Sequence, residues 1–155
     1  TALGCKVYAY DRDPKVKGDE NAEMVTLDEL CQKCDTISLH VNYTPDNKHF
    51  INDEFIRKVE QPFILINTSR GAVVDTSAMV YHIENGKIRY ACLDVLEFES
   101  PKLQNLPMEV WPPTMKALSL MSHVILTPHL GGQTTCADKR HAKVAFEKIQ
   151  ALRLI

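Results

Sequence analysis

Phe63-Ile64-Leu65-Ile66-Asn67-Thr68-Ser69-Arg70-Gly71 passes from four apolar residues to a polar turn that carries one arginine. A short apolar run bounded by turn residues reads as a strand buried on both faces, as in a parallel sheet. Two further stretches have the same design. Ala91-Cys92-Leu93 leads into Asp94, with Glu99 five residues on, and Val124-Ile125-Leu126 leads into Thr127-Pro128-His129. In an open α/β sheet, ligands bind in the crevice outside the carboxyl ends of the strands. An arginine, a carboxylate and a histidine at three such ends would therefore converge. Arginine grips a carboxylate with a planar fork. Histidine moves protons near neutral pH. A nearby carboxylate orients the imidazole and favours its protonated form.

Working outward, five strands are expected, at about Lys6–Tyr10, Thr36–Val41, Phe63–Asn67, Arg89–Leu93 and Val124–Thr127. Helical stretches separate the first four. Thr26 stands three residues before Glu29, a capping-box spacing for a helix running to Lys33. Asn52 or Asp53 caps a helix to Val59. Asp75 or Thr76 opens another, with Met79, Val80 and Ile83 inward and Gly86 as its stop. The alternation predicts βαβ units and a parallel sheet. A last helix is expected from Gln133 or Thr134, with Ala142, Ala145, Phe146, Ile149 and Leu152 on one face. Residues 100–122 carry four prolines and the single Trp111. They read as a long loop with a short helix near Met115–Met121. Packing over the domain explains the cluster of Trp111, Met108, Met115 and Met121 better than a partner surface does.

The 155 residues suit one domain, and the net charge of −2 implies no nucleic-acid partner. No apolar run approaches the roughly 20 residues that span a bilayer. Five cysteines without scaffold spacing read as free thiols of a reducing cytoplasm. Cys31-Gln32-Lys33-Cys34 supplies only two of four zinc ligands, so no metal site is expected.

In order along the chain, Val7-Tyr8-Ala9-Tyr10-Asp11, Ile37-Ser38-Leu39-His40-Val41, Asn67-Thr68-Ser69-Arg70-Gly71, Leu93-Asp94-Val95 with Glu99, and Thr127-Pro128-His129-Leu130-Gly131-Gly132 resemble the motifs of the D-isomer-specific 2-hydroxyacid dehydrogenases. The resemblance implies hydride transfer between NAD and the 2-carbon of a 2-hydroxy or 2-keto acid. Arg70 would bind the substrate carboxylate, His129 would be the acid/base, and Glu99 would hold His129. Glu97 competes with Glu99, and the family spacing from Asp94 selects Glu99. Asp11 would accept from the adenosine ribose. His40, Val41, Asn42, Thr68, Ser69, Asp94, Gly131 and Gly132 would line the cofactor, Asp94 near the nicotinamide. Asn42 and Tyr43 depart from the family pattern, in which proline and an aliphatic residue are usual, and Tyr90 replaces a small residue.

Bland alternatives stand beside these roles. Asp11 could simply serve the turn before Asp13-Pro14. His40 could be a satisfied core histidine. His49, His82, His123 and His141 show no partner pattern and read as structural or exposed. A non-catalytic, NAD(H)-binding co-repressor relative is the alternative function. A receiver-like signalling domain lacks its acidic cluster and late lysine here. The formate-oxidising relatives lack a carboxylate partner for the histidine, so Glu99 favours a hydroxyacid.

The resemblance also implies an α/β fold with a Rossmann-type, doubly wound parallel sheet, incomplete at the N-terminus, so that residues 1–155 are a partial dinucleotide-binding domain. Thr1-Ala2-Leu3-Gly4 resembles the end of the first family helix, and no G-x-G-x-x-G occurs. The final helix, about residues 134–152, would lead back to a substrate domain. The strands would split into a pair and a trio, NAD binding would be weak, and this segment alone would be silent. A homodimer is usual for the family.

Overall fold

The computed structural model describes residues 4–99 and 108–151. A four-stranded parallel sheet forms its centre. Its strands, β3 (Thr36–Leu39), β4 (Phe63–Asn67), β5 (Ile88–Leu93) and β6 (Val124–Leu126), lie side by side in chain order. β1 (Tyr8–Ala9) and β2 (Glu23–Met24) form a separate parallel pair. The helices are α1 (Leu27–Lys33), α2 (Asp53–Lys58), α3 (Thr76–Glu84), α4 (Pro113–Leu120) and α5 (Ala137–Ala151).

The register of the large sheet places the site. Leu39 pairs with Asn67, Asn67 with Leu93, and Leu93 with Leu126. The four strands thus end level. The next residues, His40, Thr68, Asp94 and Thr127, begin one row of polar loops along the carboxyl edge.

Local chemistry sets the helix bounds. Thr26 and Glu29 form the expected capping box, the Glu29 amide donating to Thr26 Oγ1 at 3.2 Å and the Thr26 amide to Glu29 Oε2 at 2.9 Å. Asn52 caps α2 by accepting from the Phe55 amide at 2.9 Å. Asp75 caps α3, and Gly86 follows with φ +74°, in the left-handed region that favours glycine. Pro113 opens α4, where a missing N–H costs nothing.

The core lies against one face of the sheet. Phe63, Leu65 and Ile88 are fully buried and pack with Ile56 of α2, Met79 of α3 and Leu118 of α4. Each such side chain contributes about 1.5–3 kcal/mol.

Four expectations need correction. The strands divide as two and four, not as a pair and a trio. The break falls between β1 and β3, and the pair is completed by β2, a two-residue strand too short to show alternation. Burial on both faces is not seen among the described residues. Ser38, Ile66, Cys92 and Ile125 share one register row on the second face, where Ile125 is 60% exposed. The last helix starts at Ala137, because Gln133 and Thr134 are spent in turns closed by Gln133 N to Leu130 O and Ala137 N to Thr134 O. The short helix in the proline-rich stretch spans Pro113–Leu120 rather than Met115–Met121, with Met115 and Leu118 buried. Residues 100–107 and Leu152 lie outside the described residues. Cys31 and Cys34 sit on α1 and at its end. Burial pushes both thiols up, which suits packing rather than nucleophilic chemistry.

Candidate active site

At the end of β4 the chain turns on a buried asparagine. Asn67 is 1% exposed. Its Oδ1 accepts from the Ser69 amide and hydroxyl, each at 3.0 Å, and its Nδ2 donates to Arg70 O at 3.1 Å. This fixes the turn and sends the Arg70 side chain outward. Among the described residues, the guanidinium's one hydrogen bond is to Ser69 O at 2.6 Å, so it retains donors for an incoming carboxylate.

The next turn is a short 3-10 segment, Gly71–Val73. Gly71 is required there by crowding. A Cβ at this position would lie 2.0 Å from the carbonyl carbon and oxygen of Leu96. Only glycine lets the Arg70 turn and the loop after β5 touch backbone to backbone.

That loop carries Glu99. Its amide donates to Leu96 O at 3.0 Å, and its Oε2 accepts weakly from the Leu96 amide at 3.4 Å. Glu99 Oε1 meets His129 Nδ1 at 2.8 Å, with the two side chains 23% and 44% exposed. The pairing leaves Nε2 as the imidazole nitrogen available for chemistry. His129 itself has φ +53°, a strained conformation for a residue with a Cβ.

Asp94 supports this arrangement. It is 8% exposed. Its Oδ1 accepts from Thr127 Oγ1 at 2.5 Å and the Leu130 amide at 2.8 Å, and its Oδ2 from the Gly131 amide at 2.7 Å. Burial alone would raise its pKa. The bonds from Thr127, Gly131 and Leu130, with the nearby His129, outweigh burial and hold the carboxyl below the usual range. Asp94 thus ties down both ends of the turn that carries His129. Its sequence signal, an aspartate at a strand end, gave no hint of these three partners.

Arg70, Glu99 and His129 line one cleft of about 720 Å³. Asn42, Tyr43, Ala72, Val95 and Leu96 contribute to its walls. Glu97 also lines it, but its carboxylate is taken by His49 and the Thr76 amide. Sequence reading missed His49, which lies 48 residues from its partner.

The other predicted residues are placed as follows. Asp11, exposed beyond β1, accepts from the Asp13 amide at 2.8 Å through Oδ1. The turn role is therefore present, and it uses one oxygen. His40 is exposed and meets Ser38 Oγ at 2.9 Å, so the core-histidine alternative is overturned. Val41, Asn42 and Thr68 are exposed, whereas Ser69 is buried and bonded to Asn67. Gly131 and Gly132 are exposed beside Asp94. His82 is 4% exposed and bonded to Asp53 at 2.8 Å, a structural pair far from the cleft lining. Among the described residues no three metal-ligating side chains cluster, and no helix is long and apolar enough to cross a membrane.

Residues 1–131 match the family model of the D-isomer specific 2-hydroxyacid dehydrogenase, NAD binding domain. The chain is 39% identical over 148 residues to a hydroxypyruvate reductase of Thermotoga maritima, covering 96% of this chain and 45% of that protein. It is 36% identical over 153 residues to a D-lactate dehydrogenase of Lactobacillus delbrueckii subsp. bulgaricus, covering 94% and 44%. Among solved structures, D-2-hydroxyisocaproate dehydrogenase superposes with a TM-score of 0.82 at 32% identity, covering 94% of this chain and 45% of that one. An NAD-complexed D-isomer specific 2-hydroxyacid dehydrogenase from Lactobacillus delbrueckii ssp. bulgaricus gives 0.83 at 27% identity, covering 98% and 47%. The chain spans about half the length of the relatives it matches.

Proposed function

The chain belongs to the D-isomer-specific 2-hydroxyacid dehydrogenase family, in its NAD-binding domain, and we propose that the polypeptide carrying it interconverts a D-2-hydroxy acid and its 2-keto acid. The observation that carries this reading is the His129–Glu99 pair, 2.8 Å apart in a cleft shared with Arg70. Residues 1–155 then serve as part of a dinucleotide-binding domain, with α5 leading toward a substrate domain, in a homodimeric enzyme.

The residues present suit the cofactor. Asp11 keeps Oδ2 clear of its own turn bond and can accept from ribose hydroxyls. Thr68, Asn42 and the backbone at Gly131 and Gly132 lie exposed along the level strand ends. NAD, when bound, accepts or supplies the hydride.

Arg70 binds the substrate carboxylate through its outward donors and polarises the adjacent carbonyl. His129 Nε2 gives its proton to the carbonyl oxygen in reduction and takes it back in oxidation. Glu99 holds Nδ1, which fixes the ring's orientation and stabilises the imidazolium. Asp94 keeps the turn from drifting, since a misplacement near 1 Å can cost about 100-fold in rate.

The test is turnover of a panel of 2-keto acids by the complete native polypeptide with NADH. Reduction of at least one acid, abolished by His129→Ala, is expected. Tight NAD(H) binding with no turnover of any acid would instead establish the non-catalytic, co-repressor-like reading.

A further inference from the structure

Beside the His129–Glu99 pair stands a second histidine–carboxylate pair. His49 Nε2 bonds Glu97 Oε1. Glu97 Oε2 accepts from the Thr76 amide, the first of α3, at 3.0 Å. The Glu97 side chain is 12% exposed and that of His49 35%. Glu97 lines the cleft and His49 does not. The imidazole therefore meets Glu97 outside the residues that line the cleft.

What the pair joins is more informative. The His49 amide donates to Ala72 O at 2.9 Å, and the Ile51 amide continues the link to Val73 O at 3.0 Å. The segment 49–51 thus runs beside the turn that follows Arg70. Glu97 belongs to the loop between Asp94 and Glu99, packed on Gly71 by direct backbone contact. His49 also has φ +53°. A non-glycine residue keeps that conformation only where its surroundings over-determine it. One partly buried carboxylate therefore ties three segments together: 49–51, the start of α3, and the loop that presents Glu99 to His129.

We propose that His49 and Glu97 form a positioning clasp that sets the distance between the Arg70 turn and the Glu99 loop, and so aligns carboxylate binding with proton transfer. This rests on the roles proposed above for Arg70, Glu99 and His129. Without the clasp, both loops remain attached to the sheet and in contact at Gly71, but that single contact is left to hold their separation. Loss of alignment costs rate, with about 100-fold for a displacement near 1 Å.

The experiment uses the complete native polypeptide and four variants: His49→Ala, His49→Gln, Glu97→Gln and the double His49→Ala/Glu97→Gln. His49→Ala is expected to lower kcat/KM for a reducible 2-keto acid by about 10–100-fold. It should also speed hydrogen exchange at residues 96–99. The pH profile of kcat should be displaced, because Glu99 holds His129 less firmly. His49→Gln should recover most of the loss, since its Nε2 can still donate to Glu97. The double variant should be no worse than the poorer single one, as expected of two residues acting as a unit. A lower Tm with unchanged kcat, KM and pH profile would show a merely structural pair and overturn the clasp. If His49→Ala does not fold, wild-type kinetics in Glu97→Gln overturn it equally. His129→Ala is the control: if it keeps full turnover, the site reading fails, whatever the clasp variants do.

Discussion

Replacing Asp94 by Asn removes one charge and one acceptor from a place where three donors converge. In the native geometry the new side chain has two poses. With its oxygen toward Thr127 and Leu130, its NH2 faces the Gly131 amide, donor against donor. With the oxygen toward Gly131, its NH2 faces the Leu130 amide, donor against donor, while the Thr127 hydroxyl can turn to accept. Hydrogen bonds to charged groups contribute about 1.5–3 kcal/mol each, and neutral ones about 0.5–1.5. One charged bond lost and two reduced to neutral strength sum to about 3.5–6 kcal/mol by those figures. Thr127, Leu130 and Gly131 are exposed, so water replaces part of the loss, and about 2–3 kcal/mol is the expected cost. The cost falls on the 127–131 turn rather than on the sheet, because Asp94 sits at the strand end. At about 1.4 kcal/mol per tenfold, exchange of the Leu130 and Gly131 amides should quicken by about 30–150-fold, with core amides of β4 unchanged. The sign with pH follows from the depressed folded-state value. The carboxylate's contribution is complete above the ordinary value of 3.8 and is lost as pH falls through the folded value. The wild-type turn should therefore loosen in acid toward the variant's behaviour, while Asp94→Asn shows no such acid step. Exchange of Leu130 and Gly131 at wild-type rates in the variant would refute the anchoring role.

Three further outcomes are expected. His129→Ala should lower turnover about 10²–10⁴-fold with NAD affinity retained, and Glu99→Gln should lower turnover in the same direction because the imidazole loses its carboxylate partner; steady-state kinetics check both. Gly71→Ala should destabilise the fold by about 3 kcal/mol or more, the upper end for overpacking, because its Cβ meets Leu96 backbone rather than a movable side chain; an unchanged urea midpoint contradicts this. NAD should be preferred to NADP, since Asp11 would repel a 2′-phosphate, although Arg12 beside it narrows the gap; a clear NADP preference in turnover assays goes against the claim.

The features legible in the sequence are those set by local rules. Period and length mark β3 to β6 as parallel strands. The capping box at Thr26 and the Asn52 and Asp75 caps are three-residue patterns. Because parallel strands all have their carboxyl ends at one edge, strand-end position brings Arg70, Glu99 and His129 to one side of the sheet. What escaped depends on distant partners. β2 is two residues long and is a strand only because β1 lies beside it. His82 reads as an ordinary polar residue until Asp53, 29 positions away, meets it. The exposed row through Ile125 follows from what covers the sheet, which no strand's own sequence encodes.

The choice between Glu97 and Glu99 shows why that boundary falls at pairing. The two carboxylates are two residues apart on one loop and both line the cleft. The family's spacing from Asp94 favours Glu99, yet residue type alone cannot separate them, since either could serve a histidine. The folded chain separates them by supplying two histidines. His129 takes Glu99 through Nδ1 and stays half exposed to the cleft. His49 takes Glu97 from behind, and α3 offers it an amide as well. A carboxylate with all its partners on the protein side is suited to holding a loop. One that shares its histidine with open space is suited to proton transfer. The proposed division of labour thus lies in which histidine each carboxylate meets, a property of three converging segments and of none of them singly.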